Sequence, residues 1–164
     1  MFELDEVSAV TKPELYAALR AQLASLVEGE RDFIANASNF SALLYHGLPD
    51  LSWAGFYLRR GDELVLGPFQ GKPACIRIGM GRGVCGTAAA KGETIVVEDV
   101  FAFPGHIFCD AAARSEVVIP LLRDGMVIGV LDLDSASLAR FDAEDAAGLE
   151  AMAEVFLAAS DAPR

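Results

Sequence analysis

Residues capable of chemistry are concentrated between Phe103 and Glu116, a stretch with one of the three cysteines and one of the two histidines of this 164-residue chain. Cys109 follows His106 by three residues and precedes Arg114 by five. Nearby positive charge stabilises a thiolate, and loops held between strands often carry reactive groups. The flanking apolar runs, 94–98 and 117–123, predict strands, so we expect Cys109 to be a reactive loop thiol.

The other two cysteines, Cys75 and Cys85, are predicted on a strand and at the start of a helix. For any one cysteine taken at random, a small, buried, inert side chain is the better prediction. At a helix N-terminus, however, the pKa of Cys85 is expected to fall. One activated thiol with a second in reach is what a redox cycle needs, because a sulfenic acid condenses with a thiol to a disulfide.

A zinc site built from the three cysteines and His106 is the competing interpretation. The cysteines lie 10 and 24 residues apart. Structural zinc sites usually take their ligands in close pairs such as C-x₂-C, and none is present. The spacing therefore predicts no metal.

Three carboxylates are expected to cluster near this loop. Asp132 and Asp134 share one face of a predicted strand, since side chains alternate along a strand. Glu116 begins the preceding strand, and the Asp124-Gly125 turn between the two is a strong hairpin signal. Counting outward from that turn makes Glu116 and Asp134 neighbours. Mutual repulsion should raise at least one pKa, and the cluster could then bind an ammonium group and donate a proton.

Two further patterns each have a structural and a functional interpretation. Trp53 and Tyr57 are four residues apart and fit either core packing or an aromatic pocket wall for an apolar or cationic group. Gly81–Gly86 matches G-x-G-x-x-G, but without a surrounding βαβ unit the match is weak evidence for dinucleotide binding. We interpret it as a tight turn whose amides could hold a small carboxylate.

The predicted elements give an α+β fold. Apolar periodicity predicts helices over 11–27, 32–46, 84–91 and 142–159, the first opened by a Thr11–Glu14 capping box. Alternation predicts six short strands over 52–58, 63–66, 74–78, 94–98, 117–123 and 126–132. Without regular βαβ alternation, we expect a mainly antiparallel sheet with the helices packed on one side.

Composition narrows the function classes. The hydrophobic content of 53 % and the length predict one domain spanning residues 1–164. A net charge of −11 disfavours nucleic acid and anionic membrane surfaces as partners. The N-terminus lacks the pattern of a signal peptide, and no run is long enough to span a membrane, so we expect a cytoplasmic protein.

Several motifs together resemble those of the free methionine-(R)-sulfoxide reductases, enzymes built on a single GAF domain. The resemblance covers about residues 15–157 and rests on Trp53–Tyr57, Leu66–Ile76, Gly81–Thr87, Phe103–Ile107, Cys109-Asp110, Ser115-Glu116 and Asp132–Ser135. It implies a GAF fold, commonly a homodimer, that reduces the R epimer of free methionine sulfoxide. Thioredoxin is the implied electron donor, and no metal or flavin cofactor is implied.

The resemblance also implies residue roles. Cys109 is similar to the nucleophile, Cys75 to the main resolving cysteine and Cys85 to an auxiliary cysteine. The implied substrate pocket contains Glu116, Asp132, Asp134, Trp53 and Tyr57. From the residues alone, the proton donor stays open among the three carboxylates, and the roles of Cys75 and Cys85 are not separable.

Two alternatives remain. A non-catalytic GAF module that binds a small ligand such as a cyclic nucleotide would be indifferent to thiol alkylation. A generic thiol peroxidase would prefer peroxide to the sulfoxide.

Overall fold

The computed structural model describes residues 11–107 and 112–163. Its elements, in chain order, are α1 (Lys12–Leu26), α2 (Phe33–Gly47), β1 (Trp53–Arg60), β2 (Glu63–Gly71), β3 (Arg77–Gly79), α3 (Gly83–Lys91), β4 (Ile95–Val97), a 3₁₀ turn (Val100–Ala102), β5 (Ser115–Arg123), β6 (Met126–Ser135) and α4 (Ala143–Ala159). The predicted α+β class is confirmed, with helix boundaries close to those expected.

The ends of the helices follow from their capping residues. The predicted capping box of α1 is present. The Thr11 side chain accepts a hydrogen bond from the Glu14 amide, and the Glu14 carboxylate accepts one from the Thr11 amide. A second box opens α4, between Asp142 and Asp145. Both boxes satisfy amides that a helix leaves without partners in its first turn.

The sheet has six strands in the order β3-β2-β1-β6-β5-β4, and every neighbouring pair is antiparallel. The hairpin predicted at Asp124-Gly125 is present, with Arg123 paired to Met126. Both turn residues have positive φ, 52° and 77°, which suits the right-handed twist of the flanking strands. This turn fixes the register of β5 against β6.

The helices lie on both faces of the sheet, so the expectation of one-sided packing is wrong. α1, α2 and α4 cover one face, where Leu23, Phe40 and Phe156 belong to a single buried cluster. α3 packs on the opposite face, where Val84 and Ala88 join a second cluster with Trp53 and Tyr57. Because β1 is apolar on both of its faces, alternation along it does not mark one face as solvent-exposed.

The expected third strand is also displaced. The strand pairs with β2 over Arg77–Gly79, against Glu63–Val65, and one further backbone hydrogen bond runs from the Leu66 N–H to the Ile76 carbonyl. Cys75 therefore lies in the irregular segment between β2 and β3 and not on a strand. None of the helices in the described ranges is both long and apolar enough to cross a bilayer.

Candidate active site

The predicted carboxylate cluster forms on the α3 face of the sheet. In the β5–β6 hairpin Glu116 pairs with Asp134 and Val118 with Asp132, which confirms the expected adjacency. Glu116 and Asp132 are each only 5 % exposed, whereas Asp134 is half-buried. Two carboxyl groups are therefore removed from water beside a third.

An aromatic stack forms the neighbouring wall. Trp53 is paired with Asp134 across β1 and β6. Its ring stacks on Tyr57 at 5.9 Å and on Phe69 at 5.3 Å between centroids. The indole N–H donates to the Lys72 carbonyl at 3.2 Å. Stacking and this hydrogen bond together fix the position of the Trp53 side chain. Trp53 and Tyr57 are at once core residues and pocket residues.

Gly55 makes room for this stack and was not singled out by sequence reasoning. A Cβ at Gly55 would overlap Phe69 and would lie 2.8 Å from Trp53 Cη2. Gly55 also pairs with Asp132, so it lies beside the carboxylates. The available signal was a glycine inside a strand, which marks close approach of a neighbouring group. Phe69, which completes the stack, carried no comparable signal.

Cys85 reaches the carboxylates from the first turn of α3. Its Sγ lies 3.8 Å from Glu116 Oε1, to which the thiol donates. The start of this helix is held rigidly, because the Gly81 N–H donates to the Gly86 carbonyl and the Gly86 N–H to the Arg82 carbonyl. At Gly83, φ is +60°, so glycine suits this helix start. The glycine-rich segment thus acts as the predicted turn, with Cys85 directed into the pocket.

His106 faces the same carboxyl group from the opposite side. Its Nε2 lies 3.6 Å from Glu116 Oε2, and both side chains are less than 10 % exposed. The cluster therefore has a thiol on one oxygen of Glu116 and an imidazole near the other.

Burial controls the protonation of this cluster. Burial and the nearby Asp134 charge raise the pKa of Glu116 well above 4.5. The pKa of Asp132 is likewise raised well above 3.8, by burial and by Glu116. The predicted rise through repulsion is thus confirmed in direction, with burial as the larger cause. This environment favours the protonated form of both carboxyl groups.

The expected lowering of the Cys85 pKa is wrong. Burial, followed by the charges of Asp132 and Glu116, raises the pKa of this thiol well above 9.0. The favourable field of a helix N-terminus is outweighed by these effects. Cys85 is therefore a neutral thiol in this environment.

A pocket unites these groups. It lies between α3, the β1–β6–β5 strands and the loop that carries His106, and its lining residues are Trp53, Tyr57, Lys72, Pro73, Ala74, Ile78, Arg82, Gly83, Val84, Cys85, His106, Ile107, Ala113, Glu116, Asp132 and Asp134. Asp132 Oδ1 is buried and accepts no hydrogen bond from the described part of the chain. A buried acceptor of this kind is available to a donor on a bound molecule.

The same groups also lie close enough together for metal binding. Ligand atoms of Cys85, Glu116 and Asp132 lie within 4.8 Å of one another. A metal ligand must lose its proton, and burial raises the pKa of all three groups. This set is therefore better suited to holding protons than to holding a cation.

The cysteines differ in their bonding. Cys75 is half-buried and disulfide-bonded, whereas Cys85 is a free thiol. The Cys75 carbonyl accepts from the Tyr57 hydroxyl at 3.0 Å, which ties its segment to the pocket wall. The predicted nucleophile, Cys109, lies outside the described residues.

Comparison with known proteins gives consistent matches. The GAF domain family matches residues 40–159. The chain is 52 % identical to the free methionine-R-sulfoxide reductase of Escherichia coli, over 93 % of this chain and 94 % of that protein. It is 42 % identical to the enzyme of that name from Saccharomyces cerevisiae, over 90 % and 87 %. The Neisseria meningitidis free methionine-R-sulfoxide reductase, solved in complex with its substrate, superimposes with a TM-score of 0.93 at 48 % identity, covering 97 % of this chain and 95 % of that chain.

Proposed function

Since the chain belongs to the GAF-domain family of the free methionine-R-sulfoxide reductases, we propose that it reduces free L-methionine-(R)-sulfoxide by cysteine chemistry. The observation that carries the proposal is the buried Glu116–Asp132 pair beside the aromatic wall. A buried carboxylic acid with a raised pKa, beside acceptors for a cationic group, suits reduction of a zwitterionic sulfoxide.

In the proposed first step, the Cys109 thiolate attacks the sulfoxide sulfur. Glu116 or one of the aspartates protonates the sulfoxide oxygen, which weakens the S–O bond. The S–O bond of the substrate breaks and the oxygen ends on Cys109 as a sulfenic acid. The substrate sulfur gains two electrons, the Cys109 sulfur loses two, and methionine is released.

Glu116 is the favoured proton donor of the three carboxyl groups. It is buried, and it lies between the Cys85 thiol and the His106 imidazole, whereas Asp134 is half-buried. Burial raises its pKa, which favours the protonated form that an acid catalyst needs. General acid catalysis is most effective when the acid holds its proton near the working pH.

Substrate recognition uses the remaining groups of the pocket. Asp134 and the vacant Oδ1 of Asp132 are acceptors for the substrate ammonium group. Amides in the first turn of α3 suit its carboxylate, because a helix N-terminus presents unpaired N–H groups. Trp53 packs on the S-methyl end. A free amino acid satisfies all three requirements, whereas a residue within a peptide lacks both charges.

Cys75 is the proposed resolving cysteine. It lies in the irregular segment after β2, where the chain is not held in a ladder, and it is disulfide-bonded, unlike Cys85. Attack of its thiol on the Cys109 sulfenic acid forms a disulfide and releases water. A thioredoxin-type dithiol then returns both cysteines to thiols and is itself oxidised to a disulfide.

The assembly and setting are further expectations. We propose one GAF domain over residues 1–164, because Tyr16, Leu19 and Leu23 of α1 lie in the same core cluster as α4 and the sheet. We also propose a homodimer in a reducing, cytoplasmic setting, as the family resemblance implies and as thioredoxin recycling requires.

The test is NADPH consumption in the presence of thioredoxin and its reductase. The R epimer of free methionine sulfoxide is expected to be reduced, whereas the S epimer and a peptide-bound sulfoxide are not. Hydrogen peroxide, tested in parallel, separates this activity from that of a thiol peroxidase.

Cysteine variants test the individual steps. Cys109→Ser is expected to abolish reduction. Cys75→Ser is expected to form about one methionine per chain and then stop, because the sulfenic acid is formed but not resolved. Retention of thioredoxin-coupled turnover by Cys109→Ser would refute the proposed mechanism.

A further inference from the structure

His106 is held at the wall of the pocket by its own loop. Its backbone N–H donates to the Phe103 carbonyl at 3.2 Å, and Gly105 supplies the turn with a φ of +74°. Phe103 and Ile107, on either side, pack against the buried cluster on the α3 face. The imidazole side chain is 8 % exposed, while the adjacent Pro104 and Gly105 are exposed. The ring therefore lies between the pocket and the surface.

The carboxyl group that His106 faces is Glu116. Over the described ranges, His106 is the basic side chain within 4.0 Å of this carboxyl, with Nε2 at 3.6 Å from Oε2. Lys72 and Arg82 also line the pocket, but both are exposed residues. The other oxygen of Glu116 accepts from Cys85, whose neutral thiol is a poor proton source.

A proton donor that is 5 % exposed must be reprotonated in every cycle. On the function proposed above, Glu116 gives its proton to the sulfoxide oxygen and is left as a buried carboxylate. We propose that His106 returns this proton and so acts through Glu116 as a positioning and relay residue. The imidazole takes a proton from solvent water, its Nε2–H bond breaks as the Glu116 Oε2–H bond forms, and the ring is again neutral.

The geometry and the chemistry of the ring suit this role. A separation of 3.6 Å is longer than a hydrogen bond, but hydrogen bonds in active sites often shorten only in the substrate complex. Burial lowers the pKa of His106, so the ring does not hold a permanent charge beside the pocket. A new negative charge on Glu116 favours the protonated ring at the moment when the relay is needed.

The decisive variant is His106→Ala, assayed at saturating thioredoxin and substrate. Proton transfer by a positioned side chain contributes about 10²–10⁴-fold, so we expect kcat to fall at least about tenfold. Because Glu116 starts the reaction already protonated, the first turnover is expected to be retained, with about one methionine per chain in the absence of reductant. Added imidazole is expected to restore steady-state turnover.

A series of substituted imidazoles separates a relay from simple packing. If the rescuing molecule transfers a proton, the restored rate depends on its pKa; if it only fills space, the rate follows its size. His46→Ala is the matched control, since His46 is the second histidine and is exposed at the end of α2. Its turnover is expected to equal that of wild type and to be unchanged by added imidazole. His106→Gln keeps a side-chain amide donor but cannot relay a proton, so it too should be slow, and it replaces the alanine variant if the latter does not fold.

Full steady-state turnover by His106→Gln, or rescue that is independent of imidazole pKa, would overturn the relay. These results leave the proposed reductase activity intact, because wild type and His46→Ala still reduce the sulfoxide. Failure of wild type and His46→Ala to reduce it would instead refute the proposed function itself.

Discussion

Asp145 links α1 to α4, and its substitution gives the sharpest test of what holds the helical face together. Its carboxylate is fully buried. It accepts from the Tyr16 hydroxyl at 2.8 Å, Lys12 Nζ at 2.6 Å, Arg140 Nη1 at 3.1 Å and the Asp142 amide at 2.9 Å. Four donors, two from α1 and two from the segment that leads into α4, therefore depend on one acceptor group.

We expect Asp145→Asn to lower the free energy of unfolding by about 3–5 kcal/mol, the usual cost of removing one partner from a buried ion pair. The Arg140 side chain is 10 % exposed and would keep its charge without a counter-ion. The new amide nitrogen would also face a donor. For a chain of this size, about 2–4 °C of Tm is lost per kcal/mol, so Tm should fall by about 10 °C.

Thermal unfolding followed by circular dichroism at pH 7 measures this effect. Glu144→Gln is the matched control, because it removes the same charge one residue away from an exposed position in the same helical turn. Its Tm should change by no more than about 2 °C. If both variants melt alike, the desolvation of Asp145 cancels its hydrogen bonds, and Asp145 does not stabilise the contact between α1 and α4.

Two further predictions concern the pocket. Burial raises the pKa of Asp132 and Glu116 above 3.8 and 4.5, so the folded state keeps protons that the unfolded chain releases, and stability falls as pH rises through and above those values. Asp132→Asn should therefore raise Tm by about 2–4 °C at pH 7, with little gain at pH 3. Its kcat/KM should fall about tenfold or more. A gain in Tm that is the same at both pH values would contradict the burial of a protonated Asp132. Gly55→Ala should displace the stacked rings of Trp53 and Phe69 and raise KM about tenfold, and an unchanged emission spectrum of Trp53, the single tryptophan, would count against it.

Local rules in the sequence account for much of the sheet that carries the site. The Asp124-Gly125 turn sets the register of β5 and β6, and the register sets Glu116 opposite Asp134. A two-residue turn permits only one register between its two strands, and alternation then decides which side chains share a face. Capping patterns such as Thr11–Glu14 also locate helix ends, because the two partners lie only three residues apart and interact locally.

The position of Cys75 shows where local rules fail. The alternating run 74–78 predicts a strand, yet backbone pairing with β2 begins only at Ile76, one residue after Cys75. A strand needs a partner, and alternation says nothing about how much of a neighbouring edge is available. For the same reason, periodicity located α3 but did not reveal that it packs on the face opposite the other helices.

The sequence by itself determined which groups could take part: three cysteines without metal spacing, three carboxylates on adjoining strand ends and one aromatic pair. The tertiary structure decided their chemical states. Enclosure between α3 and the sheet raises the pKa of the Cys85 thiol, the reverse of what a helix terminus suggests. It also makes burial, ahead of the repulsion expected from the sequence, the main cause of the raised pKa of Glu116 and Asp132. It also brings His106 to Glu116 from a separate loop. Proton affinity depends on water exclusion and on charges distant in sequence, and only the folded chain sets both.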